Sequence, residues 1–321
     1  MNDIVMPSAA HQFASAACGN SAFDHTLLVV FSAFWFSPAN ASLIDGLFSP
    51  FFVHRSYVAD IRCQQCAAQP SPTGAPYFMI DSRTAAFGEP REMSVGWASH
   101  RALMQVVKEE PSFSGGYLYL SDDTEVHFDS LLRVFDSASF FLFEARAGRP
   151  TYPSSYWCGE NGVLRHSYSR YARESACFRA GLAAQESHVA YLRENGLSAD
   201  ALCQSPQNDV FFLPARHSDT WLELTELVEA CKMPFTTAFA AVPLALDSLK
   251  SMTTISNSSY EEATRATQRA SAVFTHPFKY AAGGARYQSA VDLYVRSLQA
   301  TCSPSAARAI RRRVVRSKGR A

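Results

Sequence analysis

The chain has 321 residues, 47% of them hydrophobic and 12% aromatic, which is enough apolar material for a large core and excludes wholesale disorder. Its 29 basic and 29 acidic residues cancel, so an overall positive field of the kind that coats nucleic acid is absent and no nucleic-acid partner is expected. The longest apolar run, Leu27 to Phe36, is about half of the roughly 20 residues that a membrane-crossing helix needs, so no transmembrane segment is expected.

Residues 1–24 read as a flexible leader of small residues. Met1 to Gly19 contains no Lys or Arg and lacks the charged start of a secretory signal, so the chain as written reads as soluble. Residues 27–34, continuous, β-branched and aromatic, predict a fully buried strand that stops at Ser37-Pro38. A short helix is expected over 39–48, then strands over Phe51 to Val58 and Pro76 to Ile80, with a Gln/Ala/Pro loop at 64–76 between them. From Met93 to Glu109 the residues Val95, Ala98, Ala102, Leu103, Val106 and Val107 recur at helical spacing, and Pro111 closes the segment. Gly115-Gly116 opens a strand over Tyr117 to Leu120, followed by a short helix at 128–135 and an apolar stretch from Phe140 to Phe143. Strands alternating with helices in this way predict an α/β fold: a mostly parallel sheet flanked by helices.

The second half is less regular. A loop over 151–168 carries Tyr152, Tyr156 and Trp157, which can stack on a sugar or base or fill a core under the loop. A polar helical piece (171–195), a strand at Val210–Leu213, helices at Asp219–Cys231 and Phe239–Leu249, and a Ser/Thr/Asn-rich loop at 251–259 follow. A last strand at 273–279 and a helix at 286–299 precede a basic flexible tail at 301–321, which leaves 25–300 as one domain. Eight cysteines are too scattered to define a disulfide scaffold and leave the redox compartment open; Cys63-Gln-Gln-Cys66 has metal or redox spacing but no second pair. The sequons at Asn40 and Asn257 matter only if the chain enters the secretory path.

The segment richest in chemistry is Gly116-Tyr-Leu-Tyr-Leu-Ser-Asp122-Asp123-Thr124. A parallel strand that ends in two carboxylates delivers them where open α/β sheets bind ligands, and paired carboxylates suit a divalent cation that bridges a diphosphate. Asp-Asp after a strand also suits a solvated turn or a helix cap. Asp209, before the Val-Phe-Phe-Leu strand, suits either a general base or a turn-capping carboxylate.

Residues 92–143, with their order of helix, proline, aromatic and Gly-Tyr-Leu-Tyr-Leu-Ser-Asp-Asp, resemble the core of eukaryotic glycosyltransferase-like proteins related to the plant Golgi STELLO family. Leu27–Phe31, the aromatic turn after Ile44, Asn208 to Pro214, Val242-Pro243 and Thr275-His276-Pro277-Phe278-Lys279 resemble further motifs of that family in the same order, from about 27 to 298. The resemblance implies a GT-A fold with an acceptor-side C-terminal half. It implies Mn²⁺ or Mg²⁺ on Asp122, Asp123 and His276, and a nucleotide-diphospho-sugar donor, a UDP-sugar among the options, with a glycan, protein or lipid acceptor. Lys279 would neutralise a phosphate, Asp60 would meet the nucleotide's base or ribose, and Asp209 would serve as the catalytic base. By residue type alone, His276 also fits a partly buried core histidine and Lys279 a solvated lysine. The resemblance places the protein in the secretory pathway or Golgi. There is one departure: the family carries an acidic residue shortly before its Val-Pro, where this chain reads Phe235 to Pro243 with no carboxylate. A non-catalytic GT-A-like scaffold protein of a glycan-synthesis complex is therefore the alternative expectation, and a metal-dependent nucleotidyl- or phosphotransferase a third.

Overall fold

A computed structural model describes residues 21–32, 44–60, 77–80, 99–122, 124–143, 210–231, 251–255 and 273–275, with isolated residues at 177, 180–181, 239, 242–243 and 246–247. Its centre is a five-stranded sheet of β1 (Leu27–Ser32), β2 (His54–Asp60), β3 (Tyr77–Ile80), β4 (Tyr117–Ser121) and β7 (Val210–Leu213), in the order β3-β2-β1-β4-β7. The first four strands are parallel, and β7 runs antiparallel to β4 with Val210 opposite Leu120 and Leu213 opposite Tyr117. The expected α/β class with a mostly parallel sheet is therefore observed.

Every residue of β1 is buried because both faces of the sheet are covered, which is why its sequence is a continuous apolar run instead of an alternating one. The pleat sends successive side chains to opposite faces. Leu28, Val30, Leu118, Leu120 and Phe212 enter one core, and Leu27, Val29, Tyr117, Tyr119 and Phe211 enter the other. The first core is closed by the helical turn at 44–48, by Phe51 and Phe52, and by helix α2 (Phe128–Val134). The second is closed by α1 (Ser99–Glu109) and α3 (Ser218–Ala230), whose Ala102, Leu103, Val106, Trp221, Leu224 and Val228 face the sheet. Trp221 is fully buried and stacks with Phe239, which in turn stacks on Phe211.

Three elements differ from expectation. The second strand starts at His54, because the backbone N–H groups of Phe51 and Phe52 both donate to the Phe48 carbonyl and finish the preceding helical turn. Part of the expected loop at 251–259 forms β8 (Thr253–Ile255), which pairs with β6 (Phe141–Phe143) in a separate parallel ribbon and buries Ile255. The expected last strand is the short β9 (Phe274–Thr275). It does not join the central sheet but pairs antiparallel with β5 (Glu125–Val126), just past β4. The stretch read as a leader ends in a 3₁₀ turn, Ser21–Phe23, whose Phe23 is buried against Phe52. The 64–76 and 151–168 loops, the Cys63/Cys66 pair, the 286–299 helix and the basic tail lie outside the described residues.

Candidate functional site

Strand order 3-2-1-4 contains a switch point. From β1 the chain proceeds outward through β2 and β3, then returns to place β4 on the other side of β1. The two connections diverge there, opening a crevice at the carboxyl ends of β1 and β4, the usual ligand position in open α/β sheets. Gly116 makes the entry to β4 possible. Its φ of +83° suits glycine, and a Cβ there would lie 2.4 Å from the Leu213 carbonyl oxygen.

Ser32 and Asp122 face each other across this crevice. The Asp122 N–H donates to the Phe31 carbonyl at 2.9 Å, carrying the ladder one residue beyond β4. The Ser32 hydroxyl, almost completely buried, donates to Asp122 Oδ2 at 2.6 Å, within the range of a charge-assisted O–H···O⁻ bond. The turn that follows is braced twice: the Thr124 N–H donates to the Ser121 carbonyl at 3.1 Å, and the two hydroxyls lie 2.8 Å apart. Next comes β5, held by β9 with Glu125 opposite Thr275 and Val126 opposite Phe274, while the His127 N–H donates to the Val273 carbonyl. Glu125 and His127 are both buried, with Oε2 and Nε2 3.5 Å apart.

Of the six residues singled out in the sequence, Asp122 is described in full. Asp60 ends β2, whose neighbouring residue Ala59 is opposite Ser32, so the Asp60 backbone belongs to the same edge; its side chain lies outside the described residues. Asp123, Asp209, His276 and Lys279 lie outside them as well. The sequence neighbours of Asp123, Asp209 and His276 nevertheless fall at this one edge. Asp209 precedes Val210, which is opposite Leu120 near the end of β4, and His276 follows Thr275, which is opposite Glu125 just past the acidic turn. Among the described residues, no group of three His, Cys, Asp or Glu side chains could hold a metal. The described oxygen donors around Asp122 are a carboxylate and hydroxyls, hard ligands that match Mg²⁺ or Mn²⁺ and not a soft metal.

Sequence reasoning missed Ser32 and His127, and missed that Glu125, at the end of the acidic cluster 122–125, is buried. The signal for Ser32 was its position, a polar residue that ends an apolar strand next to the acid-bearing one. Two other polar clusters serve the framework. Buried Arg55 donates to Asp45 Oδ1 at 2.7 Å and to the carbonyls of Phe52 and Val53, and Tyr57 donates to the same Asp45 oxygen. Between α1 and α3, Glu229 accepts from Arg101 and contacts His100. Burial alone would raise Glu229, but the hydrogen bonds and charges of His100 and Arg101 outweigh it and hold the carboxyl down to about 2. A disulfide joins Cys177 to Cys231 at the end of α3. Among the described residues, no helix is long and apolar enough to cross a membrane. Comparison with protein-family models, curated proteins and solved structures finds no match to this chain.

Proposed function

We propose that the protein is a GT-A-like, metal-dependent glycosyltransferase that moves a sugar from a nucleotide-diphospho-sugar to a hydroxyl acceptor. The observation that carries this reading is the location of Asp122: a carboxylate at the carboxyl end of β4, beside the switch point, held by Ser32. The antiparallel β7 and the small β5–β9 ribbon support it further, because they bring the sequence neighbours of Asp209 and His276 to the same edge. In this reading Asp122, Asp123 and His276 hold Mn²⁺ or Mg²⁺. The cation, when bound, offsets the negative charge that develops on the departing nucleoside diphosphate. Lys279 adds a positive charge at the phosphates, and Asp60 contacts the ribose or base. Asp209 accepts the proton of the acceptor hydroxyl as its oxygen bonds to the anomeric carbon and the bond from that carbon to the diphosphate oxygen breaks. The disulfide favours an oxidising compartment such as the secretory pathway.

A second reading, a non-catalytic relative that binds the nucleotide sugar without transferring it, is favoured by the 239–243 segment. Phe239 and Val242 are buried in the core there, and no carboxylate lies between Phe235 and Pro243. Product analysis with labelled nucleotide sugars and Mn²⁺ decides. Release of nucleoside diphosphate with the label on an acceptor supports transfer; pyrophosphate release assigns nucleotidyl transfer instead. Tight binding without turnover supports the scaffold.

A further inference from the structure

We propose that Ser32 is a positioning residue for the cation site: its hydroxyl fixes the carboxylate plane and rotamer of Asp122 before any cation arrives. The inference rests on the glycosyltransferase reading of that edge and deepens it. Ser32 ends β1 at 1% exposure, and a buried hydroxyl requires a partner. One such partner, the Asp122 carboxylate, lies 90 residues away in sequence just past the neighbouring strand, at 2.6 Å. At the opposite edge of the same strand pair the Thr26 hydroxyl donates to a backbone carbonyl, that of Gly115, at 3.1 Å. The Ser32 hydroxyl reaches the one described carboxylate at the switch point. Asp122 is thereby held at two places, through its N–H on the Phe31 carbonyl and through Oδ2 on Ser32, while the Ser121 and Thr124 hydroxyls stiffen the turn that follows.

Groups that orient a metal ligand without touching the metal are worth about 10- to 100-fold in metal affinity. The consequence reaches catalysis only through the cation, so the response of Ser32 variants should be read as metal affinity and not as activity alone.

The test is a titration of free Mn²⁺, followed by its electron paramagnetic resonance signal, against the full chain and its variants, with melting temperature recorded for each. Ser32→Ala should bind Mn²⁺ about 10- to 100-fold more weakly while remaining folded, and Ser32→Thr, which keeps the hydroxyl, should restore most of the affinity. The control is Ser56→Ala. Ser56 is equally buried, in β2, and donates to Glu110 Oε1 at 3.0 Å, so its loss should lower stability and leave Mn²⁺ binding unchanged. A wild type that binds Mn²⁺ with Ser32→Ala binding it equally well overturns the positioning role and leaves the glycosyltransferase reading standing. An equal loss of affinity in Ser56→Ala or in Ser32→Thr overturns the positioning role too. Absence of Mn²⁺ binding in the wild type overturns both.

Discussion

Replacing Gly116 with alanine tests whether the candidate site depends on how β4 enters the sheet. Gly116 has φ +83°, and an added Cβ would meet the Leu213 carbonyl oxygen at 2.4 Å, the Ala215 nitrogen at 3.1 Å and the Phe212 ring at 3.1 Å. The left-handed conformation costs a non-glycine residue about 1–2 kcal/mol. The contact with Leu213 is with backbone and cannot be relieved by a rotamer change, so β7 must move away from β4, at an overpacking cost of about 1–3 kcal/mol. Together these amount to roughly 2–5 kcal/mol, a large share of the 5–15 kcal/mol that holds a typical domain folded. At about 2–4 °C per kcal/mol for a domain of this general size, differential scanning calorimetry should show the melting temperature of Gly116→Ala falling by about 4–20 °C. Lys108→Ala, which removes an exposed ion pair with Glu226, serves as the control and should change little. A Gly116→Ala protein that melts within about 2 °C of wild type would refute the close β4–β7 approach on which the position of Asp122 depends.

Arg55→Ala should destabilise by about 3 kcal/mol in urea titration, because it leaves partly buried Asp45 without its cation and strips the Phe52 and Val53 carbonyls of this donor. Trp221→Ala removes a fully buried ring stacked with Phe239 and should cost about 3–5 kcal/mol; a loss under about 1 kcal/mol would contradict the packing of α3 on the sheet. Glu229 is held down to about 2 against an ordinary value of 4.5, so its stabilising contribution is complete above pH 4.5 and is lost as the pH falls towards 2. Melting temperatures across that window should therefore fall less steeply in Glu229→Gln than in wild type. Parallel curves would show that the cluster with His100 and Arg101 does not favour the ionised carboxyl.

The elements readable in the sequence were those whose burial writes itself locally. Leu27–Ser32 and Val210–Leu213 are buried on both faces and so are unbroken apolar runs, and the buried stripe Ala102, Leu103, Val106 and Val107 marks α1 by its spacing. Phe51 and Phe52 misled because two aromatic residues ahead of an apolar stretch resemble a strand start, whereas here they close a helical turn and fill the core. Residues 253–255 looked like loop because their composition is polar. The strand exists because its partner, β6, lies far away in the sequence and Ile255 is drawn into the core. The reversed direction of β7 and the pairing of β5 with β9 are likewise long-range facts that no local pattern carries.

The site was legible to the same degree. Two carboxylates after an apolar strand marked the end of β4, and Asp122 does lie at the sheet's carboxyl edge. The hydroxyl that grips it was hidden by 90 residues of intervening chain, and an isolated serine carries no signature of its partner. The buried Glu125 and His127 were hidden differently. Charged residues so near a turn read as solvent-facing, and only the β9 strand laid across β5 shows that this stretch is covered.

The most direct measurement is calorimetric titration of UDP into the full chain with and without Mn²⁺, repeated on Asp122→Ala. Binding that requires Mn²⁺ and disappears in Asp122→Ala is the result expected of a cation-diphosphate site at the end of β4. Binding indifferent to Mn²⁺, binding that survives Asp122→Ala, or no binding at all would contradict it.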